Sequence, residues 1–182
     1  VEAGATRVVV GLGGTATNDG GAGLLAALGV LTPELRDLCV VPLREGVAGP
    51  AEVAGVELVV ASDVDSPLLG EHGATRVFGP QKGATPEQVE QLEAAMGRWA
   101  DAVEAHLGVR VRDAPGAGAA GGLGFALLAL GATRVPGLDV VARAVGLDQL
   151  VAGADLVVTG EGRLDGQSTR GKVVAGVAAL AL

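Results

Sequence analysis

Three kinds of hydrophobic patterning run along the chain and predict its elements. Val8–Val10 is a short β-branched apolar run, the pattern of a strand buried on both faces. It stops at Gly11-Leu-Gly-Gly14, and Leu24, Leu25 and Leu28 then recur at helical spacing, which predicts a helix between Gly20 and Gly29 with Asp19 as its N-cap. Val56–Ala61 reads as a second strand and Asp155–Thr159 as a third. The strongest helix signal opens at Thr85-Pro-Glu-Gln, an N-cap with proline at the first helical position. Val89, Leu92, Met96, Trp99, Val103 and Leu107 follow at steps of three and four, and Gly108 ends the pattern. A glycine loop, Asp113–Gly124, feeds an apolar helix around Phe125–Leu130, Leu138–Leu150 reads as helical, and Val173–Leu182 is an apolar helix-like run. Leu31–Gly55 has charges and prolines without periodicity. Strands alternating with helices predict an α/β fold, a largely parallel sheet with flanking helices.

Composition narrows the partners. The chain has 182 residues, is 49% hydrophobic and carries a formal net charge of −8, which argues against nucleic acid and anionic membranes as partners. The longest apolar run, Ala117–Ala132, is interrupted by glycines and falls short of the roughly 20 residues needed to span a bilayer. A lone cysteine, Cys39, excludes an internal disulfide and fits a reducing, cytoplasmic setting. His72 and His106 are two isolated histidines, which do not make a metal site; His72 reads as structural and His106 as a helix C-terminal cation or surface residue. The first residue is Val1, and the C-terminal run carries no cap. The chain therefore reads as an internal segment of a longer protein.

The candidate chemistry sits where predicted strands end. The first strand runs into glycines and then Thr15, Thr17, Asn18 and Asp19 just ahead of a helix, the arrangement of an anion site. Gly11-x-Gly13-x-x-Ala16 also meets the dinucleotide fingerprint with Glu34 downstream, although Thr17–Gly21 delays the helix that the fingerprint needs. The second strand ends at Ser62-Asp63-Val64-Asp65-Ser66-Pro67, where Asp63 and Asp65 suit a cation or form an Asx-type turn. The third ends in Gly160–Lys172, which carries Glu161 and Asp165. Gly166-x-x-x-x-Gly171-Lys172 nearly matches a P-loop, but Val173 stands where Ser or Thr would bind Mg²⁺. Among 13 basic residues only Lys82 and Lys172 are lysines, each in a glycine loop, which suggests point charges aimed at phosphate. In a parallel sheet these strand ends share one edge, so Asp63, Asp65, Glu161 and Asp165 are expected to converge with the Gly13–Asp19 loop.

Five stretches in order resemble the bacterial glycerate kinase family, the type with a Rossmann-like and a flavodoxin-like domain. They are Gly13-Gly-Thr-Ala-Thr-Asn-Asp-Gly-Gly-Ala-Gly23, Asp63-Val-Asp-Ser-Pro-Leu68, Phe78-Gly-Pro-Gln-Lys-Gly-Ala-Thr-Pro86, Pro115-Gly-Ala-Gly-Ala-Ala-Gly-Gly-Leu-Gly124 and Thr159-Gly-Glu-Gly-Arg-Leu-Asp-Gly-Gln-Ser168. The resemblance spans almost the whole chain. It places residues 1–182 as an internal segment of a two-domain protein, both domains incomplete, without the family's N-terminal Lys-containing and Asp-Gly-Gly motifs or its C-terminal closing segment.

The resemblance implies ATP-dependent phosphorylation of D-glycerate, giving 2-phosphoglycerate, with ATP and Mg²⁺ as cofactors. Phosphoryl transfer asks for amide-lined loops, cationic point charges and carboxylates. On that basis Asp63, Lys82 and Lys172 are the catalytic candidates. Gly13, Gly14, Thr15, Asn18, Asp19, Gln81, Gly116, Gly118, Gly162 and Gln167 are candidates for substrate or nucleotide binding, and Asp65, Glu161 and Asp165 for the metal. Asp63 is the group expected to orient the substrate hydroxyl or hold the metal. The segment alone is expected to be inactive. The rival reading is a non-catalytic nucleotide-binding or scaffold fragment.

Overall fold

The computed structural model describes residues 4–32, 35, 37, 38, 55–160 and 173–181. The chain divides into two compact units, Val1–Arg134 and Val135–Leu182.

In the first unit, strand β1 (Arg7–Gly11) leads to helix α1 (Ala22–Ala27), and β2 (Glu57–Ala61) to the short helix α2 (Ala74–Phe78). A 3₁₀ turn, Pro80–Lys82, precedes the long helix α3 (Pro86–Leu107), and α4 (Ala119–Ala129) follows. Strand β3 (Thr133–Val135) gives a sheet of order β1-β2-β3. β1 and β2 are parallel, with Val8 opposite Leu58, Val10 opposite Val60 and Gly11 opposite Ala61.

The best-predicted element forms as its caps dictate. The Thr85 hydroxyl accepts from the Gln88 amide at 3.3 Å, and the Gln88 side-chain oxygen accepts from the Thr85 amide at 2.9 Å. Gly108, left-handed at φ 68°, ends α3. Its apolar stripe buries Met96, Trp99 and Val103 in one cluster with Leu25, Leu68 and Phe125, and Val89 is buried as well. Each such side chain contributes about 1.5–3 kcal/mol when fully buried, so this stripe holds α1, α3 and α4 together.

Two strand expectations are corrected. β1 is not buried on both faces: Val9 is 45% exposed while its partner Val59 is 1% exposed. β1 lies at the sheet edge and β2 in the centre, and an apolar triplet cannot announce which position it will take. Residues 156–160 form no strand, and Leu156 and Val158 are 79% and 84% exposed. The third strand is Thr133–Val135 instead. An apolar run signals a wish for burial, but strand formation needs a neighbouring edge to pair with.

The second unit holds α5 (Gly137–Val145), α6 (Leu147–Ala152) and α7 (Val173–Leu180). The helix predicted over Leu138–Leu150 is two helices, because Gly146 turns left-handed at φ 64° between them. No described helix is long and apolar enough to cross a membrane.

Candidate functional site

The parallel pairing of β1 and β2 sets Gly11 and Ala61 on one sheet edge, and the Leu12 amide donates to the Ala61 carbonyl at 3.0 Å. The polar loop after β1 is then fixed from several sides. The Gly20 amide donates to the Gly121 carbonyl (3.0 Å), and buried Trp99 donates its indole N–H to the Gly20 carbonyl (3.0 Å). Asn18 Nδ2 donates to Thr75 Oγ1 (3.0 Å), and Lys82 Nζ donates to the Thr17 carbonyl (2.6 Å). Asp19 caps α1 as expected, though from two residues before the formal cap: its carboxylate oxygens accept from the Gly21 and Gly23 amides at 3.1 and 3.3 Å. The Asp19 carboxylate thus holds the start of α1.

Two hollows open on this loop. The smaller, about 140 Å³, is lined by Gly13, Gly14, Thr15, Gln81 and Lys82, together with Val64 and Gly121. The larger, about 450 Å³, is lined by Ala16, Asn18, Lys82, Gly83, Gln88 and Leu92 among others. Lys82 lines both, and it is the one charged side chain among the described residues lining either. Burial pushes the Lys82 ammonium below its ordinary pKa, and the nearby Asp19 carboxylate pulls the other way. Thr15 Oγ1 and Asn18 Oδ1 are buried without hydrogen-bond partners among the described residues. Ala120, the one non-glycine residue with positive φ among those described (53°), also lines the small hollow. Strain of this kind, about 1–2 kcal/mol for a residue with a Cβ, gathers at functional sites.

The glycines separate into two classes. A Cβ on Gly13 or Gly14 would meet nothing within 4 Å, so these backbones face open space and can approach a ligand. Gly116 and Gly118 behave otherwise. A Cβ on Gly116 would come within 2.6 Å of the Arg134 side chain, and one on Gly118 would collide with the Pro67 carbonyl oxygen. A Cβ on Gly121 would strike the Thr17 carbonyl oxygen. The room beside Gly116 and Gly118 is filled by protein, so these two pack the loops against each other, and they line neither hollow.

After β2, buried Ser62 accepts the Val64 amide on its hydroxyl at 3.2 Å, so the strand ends in a hydroxyl-closed turn. Asp63 and Asp65 are exposed on either side of Val64, which lines the small hollow. Asp65 is paired with Arg134 at 2.6 Å. No group of three metal-capable side chains occurs among the described residues. The Gly13–Thr15, Gln81–Lys82 and Val64 stretches thus meet at the small hollow, whereas Asp63 and Asp65, expected to converge with the Gly13–Asp19 loop, line neither hollow. Glu161, Gly162, Asp165, Gln167 and Lys172 lie outside the described residues, as do Glu34 and Cys39. His72 and His106 are exposed.

Three contributors were not foreseen. Thr75, fully buried, holds Asn18, and Ala120 and Gln88 line the hollows. Thr75 carries no sequence signal, since one threonine in a short helix looks like any other. Ala120 shows its role only through its backbone angle.

Named relatives match the chain over almost its whole length. The chain is 45% identical to "Glycerate kinase" of Bacillus subtilis over 191 residues, covering 98% of this chain and 49% of that protein. It is 42% identical to "Glycerate 2-kinase" of Escherichia coli over 197 residues, covering 100% of this chain and 50% of that protein. A crystal structure from Salmonella typhimurium LT2, provisionally named glycerate kinase 2, superposes with a TM-score of 0.76 at 42% identity, over 99% of this chain and 51% of that one. The chain thus spans about half the length of the relatives it matches. With the glycerate kinase family's sequence model matching residues 1–182 throughout, the chain belongs to that family.

Proposed function

We propose that the complete protein carrying this chain transfers a phosphoryl group from ATP to D-glycerate, giving 2-phosphoglycerate. The observation that supports this most is the placing of Lys82 on the shared wall of a small and a larger hollow. The 140 Å³ hollow has room for only about five waters at liquid density, the scale of one phosphoryl or small carboxylate group. The 450 Å³ hollow falls in the range of organic-ligand sites, about 300–1,000 Å³. An ammonium between them neutralises charge that moves from one to the other.

This chain's residues divide the work as follows. The open Gly13 and Gly14 backbones and the Thr15 hydroxyl line an oxyanion cradle, with Gln81 beside it. Lys82 supplies the point charge, and Lys172 is assigned a second one. Asp63 orients the hydroxyl that attacks or holds the metal. Two aspartates at a strand end fit Mg²⁺, which takes one or two carboxylates and completes its shell with phosphate oxygens and water. Asp63 is assigned that role from the sequence, and Asp65 is held by Arg134 at 2.6 Å. Glu161 and Asp165 are assigned to the same metal from the sequence. Mg²⁺ when bound would neutralise phosphate charge and draw the donor's oxygens into line.

A coupled assay of ADP release from the complete protein, with D-glycerate as acceptor, tests the reading. Glycerate-dependent turnover that requires Mg²⁺ is expected. ATP binding without turnover would favour the rival, a non-catalytic nucleotide-binding module.

A further inference from the structure

Asn18 is fixed at one end and empty at the other. Its Nδ2 donates to Thr75 Oγ1 at 3.0 Å, and Thr75 is 0% exposed, so this anchor is held inside the packed helix α2. Its Oδ1 is buried yet has no donor among the described residues, and Asn18 lines the larger hollow beside Lys82. A buried carbonyl oxygen without a donor costs about 1–3 kcal/mol, and such a group calls for a partner that the protein itself does not provide.

The chemistry of that partner follows from the neighbours. Amide Oδ1 accepts only, so it repels carboxylate and phosphate oxygens and asks for an O–H or N–H. The Lys82 ammonium on the same wall asks for an anion. A molecule with a hydroxyl next to an anionic group meets both at once, which describes a hydroxy acid. We infer that Asn18 Oδ1 accepts the hydroxyl of the hydroxy-acid substrate, and that Thr75, by holding Nδ2, is the positioning residue that decides which end of the amide is left for the ligand. The inference rests on the functional reading above and adds to it a location for the acid and a residue that sets its specificity.

Thr75→Val keeps the side-chain volume and removes the anchor. In the complete protein it is expected to raise KM for D-glycerate about tenfold, the loss of roughly one hydrogen bond, with kcat changed less than threefold and KM for ATP unchanged. Thr75→Ser restores the acceptor and is expected to restore KM. Hydroxy-acid selectivity gives a readout that loosened packing would not move. The unmodified protein should bind glycerate more tightly than lactate or 3-hydroxypropionate, each lacking one hydroxyl, and Thr75→Val should erase one of those preferences. Should Thr75→Val not fold, Asn18→Ala carries the same expectation. Unchanged glycerate KM and selectivity in an active enzyme would overturn the inference alone, and so would a change confined to ATP. An unmodified protein without glycerate kinase activity would overturn the functional reading, and this inference with it.

Discussion

Lys82 Nζ donates to the Thr17 carbonyl at 2.6 Å, across 65 residues of sequence. The bond ties the 3₁₀ turn before α3 to the polar loop after β1. Lys82 also lines both hollows. A lysine that served only to join two loops would not need to line either. One that served only as a charge would not need a fixed backbone acceptor, and Lys82 has both.

Replacing Lys82 with alanine is therefore expected to lower kcat/KM by about 10²-fold or more, equivalent to about 2.7 kcal/mol of transition-state stabilisation. Melting temperature should move little, because one hydrogen bond of an exposed pair contributes about 1 kcal/mol at most. Lys172→Ala is expected to match it in kinetics. The pH profile offers a second check. Burial lowers the Lys82 pKa, so the alkaline limb of kcat/KM should begin below the ordinary lysine value of about 10.4. Unchanged kinetics in both variants would make them ordinary loop lysines.

Part of this is legible in the sequence: Lys82 stands out because arginine is otherwise the rule in this chain, and the Thr85 N-cap and core stripe of α3 are readable at residue level. What the sequence hid were relations that depend on third parties. Gly13 and Gly116 are the same letter, yet one faces open space and the other faces Arg134, and only the packed fold separates them. Leu156–Val158 carries the pattern of a strand and has no strand to pair with, whereas Thr133–Val135 carries little pattern and forms one. Thr75 matters through one bond to Asn18, which no periodicity reports.

The two glycine classes predict opposite phenotypes. Gly121→Ala puts a methyl group into the Thr17 carbonyl oxygen at a left-handed φ of 68°, so the loops must part. A loss of at least about 2 kcal/mol in urea unfolding is expected, with activity falling because the fold suffers. Gly13→Ala meets nothing within 4 Å, so unfolding should change by no more than about 1 kcal/mol. Its methyl group would stand in the small hollow, and kcat/KM should fall by about tenfold or more. Equal stability losses in both variants would refute the distinction.

Asp63→Asn addresses the carboxylate assigned to the hydroxyl or the metal. A general base or metal ligand contributes about 10²–10⁴-fold, so kcat should fall at least about 10²-fold. Raising Mg²⁺ should recover part of the loss if Asp63 holds the metal and none of it if Asp63 orients the hydroxyl. Wild-type kcat in this variant would remove Asp63 from the chemistry.

Glu104 supports the site from a distance, and its effect should be read in stability. Its buried carboxylate accepts from the Val111 and Arg112 amides at 2.7 and 2.8 Å and from the Arg112 guanidinium at 2.7 Å. Arg112 in turn accepts the Leu68 amide on its carbonyl at 2.8 Å, so one carboxylate ties α3 to the chain entering the Pro115–Gly124 loop. Burial alone would raise the Glu104 pKa, but the Arg112 guanidinium and the two amides outweigh it and hold the carboxyl below its ordinary value. The sign follows from linkage. A carboxyl with a depressed folded pKa contributes stability that is fully present above its unfolded pKa, about 4.3, and is lost as pH falls through the folded value. Glu104→Ala leaves Arg112 and two amides without their acceptor and is expected to cost about 3 kcal/mol or more at pH 7. Glu104→Gln keeps the shape and should cost about 1–3 kcal/mol. Urea unfolding across pH 7 to pH 3 should show the gap between wild type and Glu104→Gln constant down to about pH 5 and narrowing below it. A gap that stays constant to pH 3 would mean that the ionised form of Glu104 contributes nothing beyond its packing.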